Sequence, residues 1–235
     1  MSAATDSRAE AAKLARLLGL DGPESLASVQ QAPASELRDY RDAVTELLYD
    51  DDRALLQRAA DAARLLPAHT LATIGERALG PLICARLTGL LDPARAVDIS
   101  RHFSIDFLAQ LAAELDPRRA VDVITSMPPD LVLDIAVAMA ARGEHVGMGR
   151  FVAHLDDDTL AACIEELTDE DLLRVGFVLE GKERLGEVFE LVGLERTQRM
   201  LDGAGSMGLG EEALDLLDHL DARQRKQLRR RVGSG

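Results

Sequence analysis

The 235-residue chain carries a net charge of −14, with 47 % hydrophobic and 29 % charged residues, five Phe, two Tyr and no Trp. That length buries a real core, as one large domain or two small ones, and the apolar share excludes wholesale disorder. So few rings exclude a surface that stacks bases or sugars. Leu and Ala, both strong helix formers, are left to fill the interior.

The charge is uneven. Arg223, Arg225, Lys226, Arg229, Arg230 and Arg231 form a basic tail without acids, and setting those six cations aside leaves residues 1–222 at −20. An acidic body of that size repels nucleic acid and anionic membrane surfaces. No apolar run approaches the roughly 18 residues of a membrane span. The polar opening Met1–Glu10 lacks the apolar core of a leader, so a cytoplasmic protein is expected. Cys84 and Cys163 each fall within a helix-like apolar pattern, which predicts two buried thiols in a reducing compartment and no disulfide.

Taken from the N-terminus, residues 7–18 predict an amphipathic helix that the Gly22-Pro23 pair ends. Ser35 and Glu36 open a second helix toward Tyr49, and Asp50-Asp51-Asp52 caps a third that ends near Pro67. Residues 68–78 and 81–90 predict two shorter helices. Apolar and polar residues do not alternate over five or more positions, so no sheet is expected.

A repeat follows. Leu91, Phe103, Leu115 and Met127 recur every 12 residues, and Leu155, Leu167, Leu179 and Leu191 form a second set with the same step. Asp92, Ser104, Asp116 and Pro128 come next in the first set, Asp156, Thr168, Glu180 and Val192 in the second. Asp, Ser and Thr accept the free N–H groups of a helix start. Pro93, Pro117 and Pro129 then occupy the first helical position, where a missing N–H costs nothing. Apolar pairs further on, such as Ala96 with Ile99 and Leu172 with Val175, share one helical face. Each unit is therefore a helix of about eight or nine residues, marginal alone in water and stable only when stacked on its neighbours.

The expected fold is all-α: a right-handed superhelix, or α-solenoid, of short 12-residue helical repeats. Its regions are an N-terminal helical part (1–66), the repeat superhelix (67–200) with a register break near 140–150, and a Gly-rich linker with a basic C-terminal helix (201–235). Gly143, Gly147 and Gly149 punctuate the loop expected at that break.

The units Leu91-Asp-Pro-Ala-Arg-Ala-Val-Asp-Ile99, Leu115-Asp-Pro-Arg-Arg-Ala-Val-Asp-Val123, Met127-Pro-Pro-Asp-Leu-Val-Leu-Asp-Ile135 and Leu167-Thr-Asp-Glu-Asp-Leu-Leu-Arg-Val175 resemble a known pattern. It is that of the cytosolic N-terminal domain of the magnesium transporter MgtE, itself similar to the middle domain of the flagellar rotor protein FliG. The likeness spans roughly residues 66–195 and rests on caps and core residues. It implies a compact right-handed stack of short helices. In the transporters this domain is an acidic regulatory module sensing Mg²⁺ together with CBS domains, which this chain lacks, as it lacks the channel. The resemblance thus implies a fold more than an activity.

No catalytic, cofactor or metal site is expected. Gly203-Ala-Gly-Ser-Met-Gly208 spells G-x-G-x-x-G, but a dinucleotide fingerprint needs a preceding strand, and Glu195–Asp202 reads as helix, which makes the segment a flexible linker. Asp98, His102 and Asp106 would align on one helix, but the Ser104 cap breaks it; His154 and Asp158 straddle a cap in the same way. The carboxylates of Asp156-Asp-Asp158, Glu165-Glu166 and Asp169-Glu-Asp171 fall at caps and solvent faces, where weak Mg²⁺ or Ca²⁺ binding is the most they support. Arg225, Lys226, Arg229, Arg230 and Arg231 are the candidate contact to an anion or an acidic partner, against a plainer role complementing the helix dipole and the acidic body. The expected function is a non-catalytic protein-interaction or regulatory module with a protein partner. The alternatives are weak divalent-cation sensing, or small-molecule or lipid binding along Leu131–Ala141 and Phe177–Leu191.

Overall fold

The computed structural model describes residues 2–26, 28, 31–50, 53–180, 182–220, 222–225 and 228, the side chains of 2–5, 47–50 and 183 excepted. Among the described residues every regular element is helical, and no helix is long and apolar enough to cross a membrane. The first helices are α1 (Ser2–Leu17), α2 (Ala34–Asp50) and α3 (Arg53–Ala62). Asp51 and Asp52, expected to cap α3, lie outside the described residues. Both short helices predicted next are present: α4 (Ala68–Ile74) closes on a π turn, Gly75–Leu79, and runs into α5 (Gly80–Thr88).

From there the punctuation sets the starts. α6 (Pro93–Ser100) opens after Asp92, whose carboxylate accepts from Arg95 N at 3.2 Å. α7 (Ile105–Glu114) opens after Ser104, whose hydroxyl accepts from Phe107 N at 3.3 Å. The third unit departs from expectation. Asp116 bonds the amide two residues on, Arg118 N at 3.2 Å, and closes a 3-10 turn (Pro117–Arg119) that leaves only α8 (Val121–Thr125) as α-helix.

α9 (Pro129–Ala141) starts on register but runs 13 residues, because Met139, one step after Met127, is followed by Ala140 and Ala141 where a cap is wanted. Alanine continues a helix. Gly143 then ends it at φ +74, its N–H reaching Ala140 O at 2.9 Å and that of Glu144 reaching Met139 O at 3.0 Å. This paired closure needs a left-handed residue.

The loop expected through residue 149 is instead α10 (His145–Phe151), and Gly147 and Gly149 are helical. A Cβ at Gly147 would lie 3.1 Å from Met139 Cε, so the glycine admits the neighbouring helix rather than breaking its own.

α11 (Asp157–Glu166) and α12 (Asp169–Phe177) resume the pattern, the latter with a reciprocal box between Thr168 and Asp171. At Glu180 the register fails, and α13 (Leu185–Val192) begins only after a 3-10 turn at Lys182–Arg184. α14 (Leu194–Gly203) and α15 (Gly210–His219) complete the numbered elements.

The chain divides into two compact units, residues 46–163 and residues 1–45 with 164–235. Within the first, helices pack on the next but one: α3 on α5, α5 on α7, α7 on α9, and in a second row α4 on α6, α6 on α8. Both rows feed one core that includes Cys84, Ala96, Phe107, Leu111 and Ile124. The repeat anchors Leu91, Phe103, Leu115, Met127 and Leu155 all belong to or pack against it. In the other unit α12 packs on α14, and α13 on α15, around Leu173, Met200, Ala204, Leu209 and Ala213. There α1 lies on α15, and Ala11 and Leu14 are closed over by Leu37.

Candidate functional site

Of the basic residues singled out above, Arg225 is exposed, whereas Lys226, Arg229, Arg230 and Arg231 lie outside the described residues. Gln224 and Leu228, four apart, are buried, and Gln224 Nε2 donates to Gly186 O at 3.1 Å. Arg223 and Arg225 therefore sit on the outer side of an anchored segment.

The histidine pattern is broken as expected. α6 ends at Ser100 and α7 begins at Ile105, so His102 lies in the turn between them. Asp98 pairs with Arg95 at 2.9 Å and Asp106 with Arg142 at 2.8 Å. What no spacing could reveal is that His102 meets His69 edge-on, ring centroids 6.2 Å apart, both exposed.

The Gly203–Gly208 segment follows a helix, α14, rather than a strand, so the dinucleotide context is missing. It is not a slack linker: Ala204 is 1 % exposed and Leu209 4 %, joined by Leu209 N donating to Ala204 O at 2.9 Å.

The acidic runs serve as caps and ion pairs. Asp156 accepts from Thr159 N at 2.8 Å, which with the Thr159 hydroxyl holds its carboxyl below the usual range. On Asp169, burial pushes upward, but Arg196 and Arg199 outweigh it and lower the group. Asp116, 4 % exposed, is lowered too: burial acts against ionisation, and Arg118 and Arg150 overcome it. Both cysteines are buried thiols; burial pushes Cys84 up to about 11 and raises Cys163 as well.

Sequence reasoning missed two buried charge clusters, both in the unit of residues 1–45 and 164–235. Asp6, Glu10 and Lys13 are spaced i, i+4, i+7 on α1 and so share one face. In the first cluster Glu10, 3 % exposed, accepts from Lys13 Nζ at 2.9 Å, Arg41 Nη1 at 3.0 Å and Arg38 Nη2 at 3.2 Å. Glu180 accepts from the same Arg41 nitrogen at 2.6 Å and lies 4.0 Å from Lys13. Burial is the largest influence on Glu10 and pushes its carboxyl up, yet Lys13, Arg41 and Arg38 together hold it below its usual range. Lys13 is lowered, because burial disfavours its ammonium more than Glu10 and Glu180 favour it.

In the second cluster Lys182 Nζ donates to Asp6 Oδ1 at 3.0 Å and to Asp215 Oδ2. His219, one turn after Asp215, places Nε2 3.9 Å from Asp6 Oδ1. One ligand-type atom each from Asp6, Asp215 and His219 lies within 4.8 Å of the others, a grouping that can hold a metal ion.

Faint signals for both clusters exist in the sequence. Lysine occurs only at 13, 182 and 226, and two of those three sit in these clusters; Asp215 and His219 share a helix face.

Compared with protein-family models, with curated proteins and with solved structures, the chain matches none.

The unit of residues 46–163 presents a different surface. An open groove of about 440 Å³ is lined by Ala94, Val97, Asp98, Arg101 and Ser126. Leu55, Leu65, Leu66, Ile74, Leu79 and Leu82 are all exposed, Leu65 to 85 %. They sit on α3, on α5 and on the segment between, and α3 packs directly on α5. By contrast Phe177, Val178, Leu179, Leu185 and Phe189 are buried in packing, so that stretch spends its apolar side chains internally.

Proposed function

We propose that the chain is a non-catalytic protein-interaction or regulatory module of the cytoplasm. Its short capped helices stack as a right-handed superhelix of the kind found in the MgtE N-terminal domain and the FliG middle domain. The observation that carries this reading is the concentration of exposed aliphatic side chains between residues 55 and 82. Single exposed leucines need no explanation, but large apolar groups gathered on adjoining elements mark an interaction surface. A fully exposed side chain of this kind forgoes roughly 1.5–3 kcal/mol of burial, and the half-buried ones a part of that, which a protein partner recovers on docking. Packing of helices on the next but one supports the stacked array, since such units bury their faces against neighbours in this way. The excess of acid on residues 1–222 favours a partner with a basic rim.

The test is affinity capture from the source cell with the wild-type chain and with Leu65→Glu/Leu82→Glu. Both sites are exposed, so helicity should match wild type and the unfolding free energy should change by no more than about 0.5 kcal/mol per site. A partner retained by the wild type should be lost from the double variant. Equal recovery of the same proteins by both would refute this surface as the docking face.

A further inference from the structure

Asp215 is enclosed, its side chain 0 % exposed, yet only one of its oxygens is served. Oδ2 accepts from Lys182, while Oδ1 is buried with no hydrogen-bond partner, His219 Nδ1 lying 3.9 Å away. A carboxylate oxygen taken out of water without a hydrogen bond is an arrangement that folded proteins avoid. The neighbouring imidazole is held from one side. His219 Nδ1 lies 2.8 Å from Asp215 O, an acceptor only, so this nitrogen is the donor there and Nε2 is the one turned toward Asp6. Nε2 lies 3.9 Å from Asp6 Oδ1, too far for a hydrogen bond. Fixing one ring nitrogen on a backbone carbonyl is how a metal-binding histidine is oriented.

We infer that Asp6, Asp215 and His219 form a binding site for a divalent transition ion of the zinc class, with the Lys182 ammonium as its built-in competitor. One imidazole nitrogen and two carboxylates make a borderline donor set that suits Zn²⁺ or Co²⁺; Mg²⁺ asks for an octahedron of oxygens and retained waters. Tetrahedral bonds of about 2.0–2.1 Å place two ligand atoms about 3.4 Å apart, so the 3.9 Å gap between His219 and Asp6 closes by about half an ångström, and no pair in the group, all within 4.8 Å, has to close by more than about 1.4 Å. Asp6 is 32 % and His219 22 % exposed, which leaves both the freedom to close and a path from solvent. Two carboxylates neutralise one divalent ion, and the ammonium then becomes surplus charge. Lys182, 15 % exposed, leaves as the ion arrives. The site is independent of the docking face proposed above.

Untagged full-length protein is titrated with Co²⁺ alone, followed by visible absorption and then by displacement with Zn²⁺. The expected result is a saturable one-to-one band of low-symmetry Co²⁺ that excess Zn²⁺ abolishes. His219→Gln should weaken binding by about tenfold or more while its far-ultraviolet dichroism matches wild type. Lys182→Met should bind more tightly than wild type. Where that variant is destabilised by the unpaired acids, Zn²⁺ should raise its melting temperature. The exposed His69/His102 pair is the internal control. Binding lost in His102→Gln but kept in His219→Gln overturns the assignment, and so does an absorption spectrum unchanged at millimolar Co²⁺.

Discussion

Glu10→Gln removes an anion on which three cations converge, and its cost follows from what each is left with. Lys13, 4 % exposed, would keep only Glu180 at 4.0 Å; Arg41, 6 % exposed, would keep Glu180 at 2.6 Å and Asp42 at 3.1 Å. Taking one partner from a buried ion pair costs about 3–5 kcal/mol, so Glu10→Gln is expected to lose that much. Lys13→Met is the contrasting change. Glu10 then retains Arg41 at 3.0 Å and Arg38 at 3.2 Å, and the desolvation cost of the ammonium disappears. Its expected effect is within about 1 kcal/mol, because replacing a buried charge by an apolar chain is often close to neutral. The double variant should be more stable than Glu10→Gln alone, since the stranded ammonium is gone.

Urea unfolding at pH 7, with slopes compared as well as midpoints, measures all three. The pH dependence has a definite sign. Glu10 is lowered in the folded state, so its contribution is fully present above the ordinary value of 4.5 and fades as pH falls through the lowered one. The gap between wild type and Glu10→Gln should therefore narrow in acid. A Lys13→Met variant as unstable as Glu10→Gln would refute the reasoning.

Two further outcomes follow from the described geometry. Thr168→Ala removes the hydroxyl that accepts from Asp171 N at 3.1 Å and should cost about 1 kcal/mol, read as a lower urea midpoint, with Thr168→Ser restoring most of it. Burial lifts the Cys84 thiol to about 11, so at pH 8 the native protein should react with a thiol-selective chromophore far more slowly than the urea-unfolded chain.

Local chemistry was legible where it was decided within a few residues. The starts of α6, α7, α11 and α12 follow directly from Asp92-Pro93, Ser104, Asp156 and Thr168, since a cap is a contact between residues three apart. The same rule placed Asp116, but it could not say which amide the carboxylate would choose, and Arg118 instead of Arg119 made a 3-10 turn. Helix length was read less well, because α9 runs on through Ala140-Ala141 with nothing to stop it before Gly143. The glycines of α10 are illegible for a related reason: a glycine spared for a neighbour's side chain is indistinguishable, in one dimension, from one spared for a turn. The candidate site lay furthest from view. Asp6, Lys182 and Asp215 come from positions up to 209 residues apart, and periodicity carries no information about which faces of distant helices meet.

The two-row arrangement of residues 46–163 sets a rule for growth. From α3 to α9 each helix rests on its second neighbour, so duplicating two consecutive units there would add one course to each row. Inserting one unit alone would exchange the rows for all that follows, turning outward the side of every later helix that now faces the core.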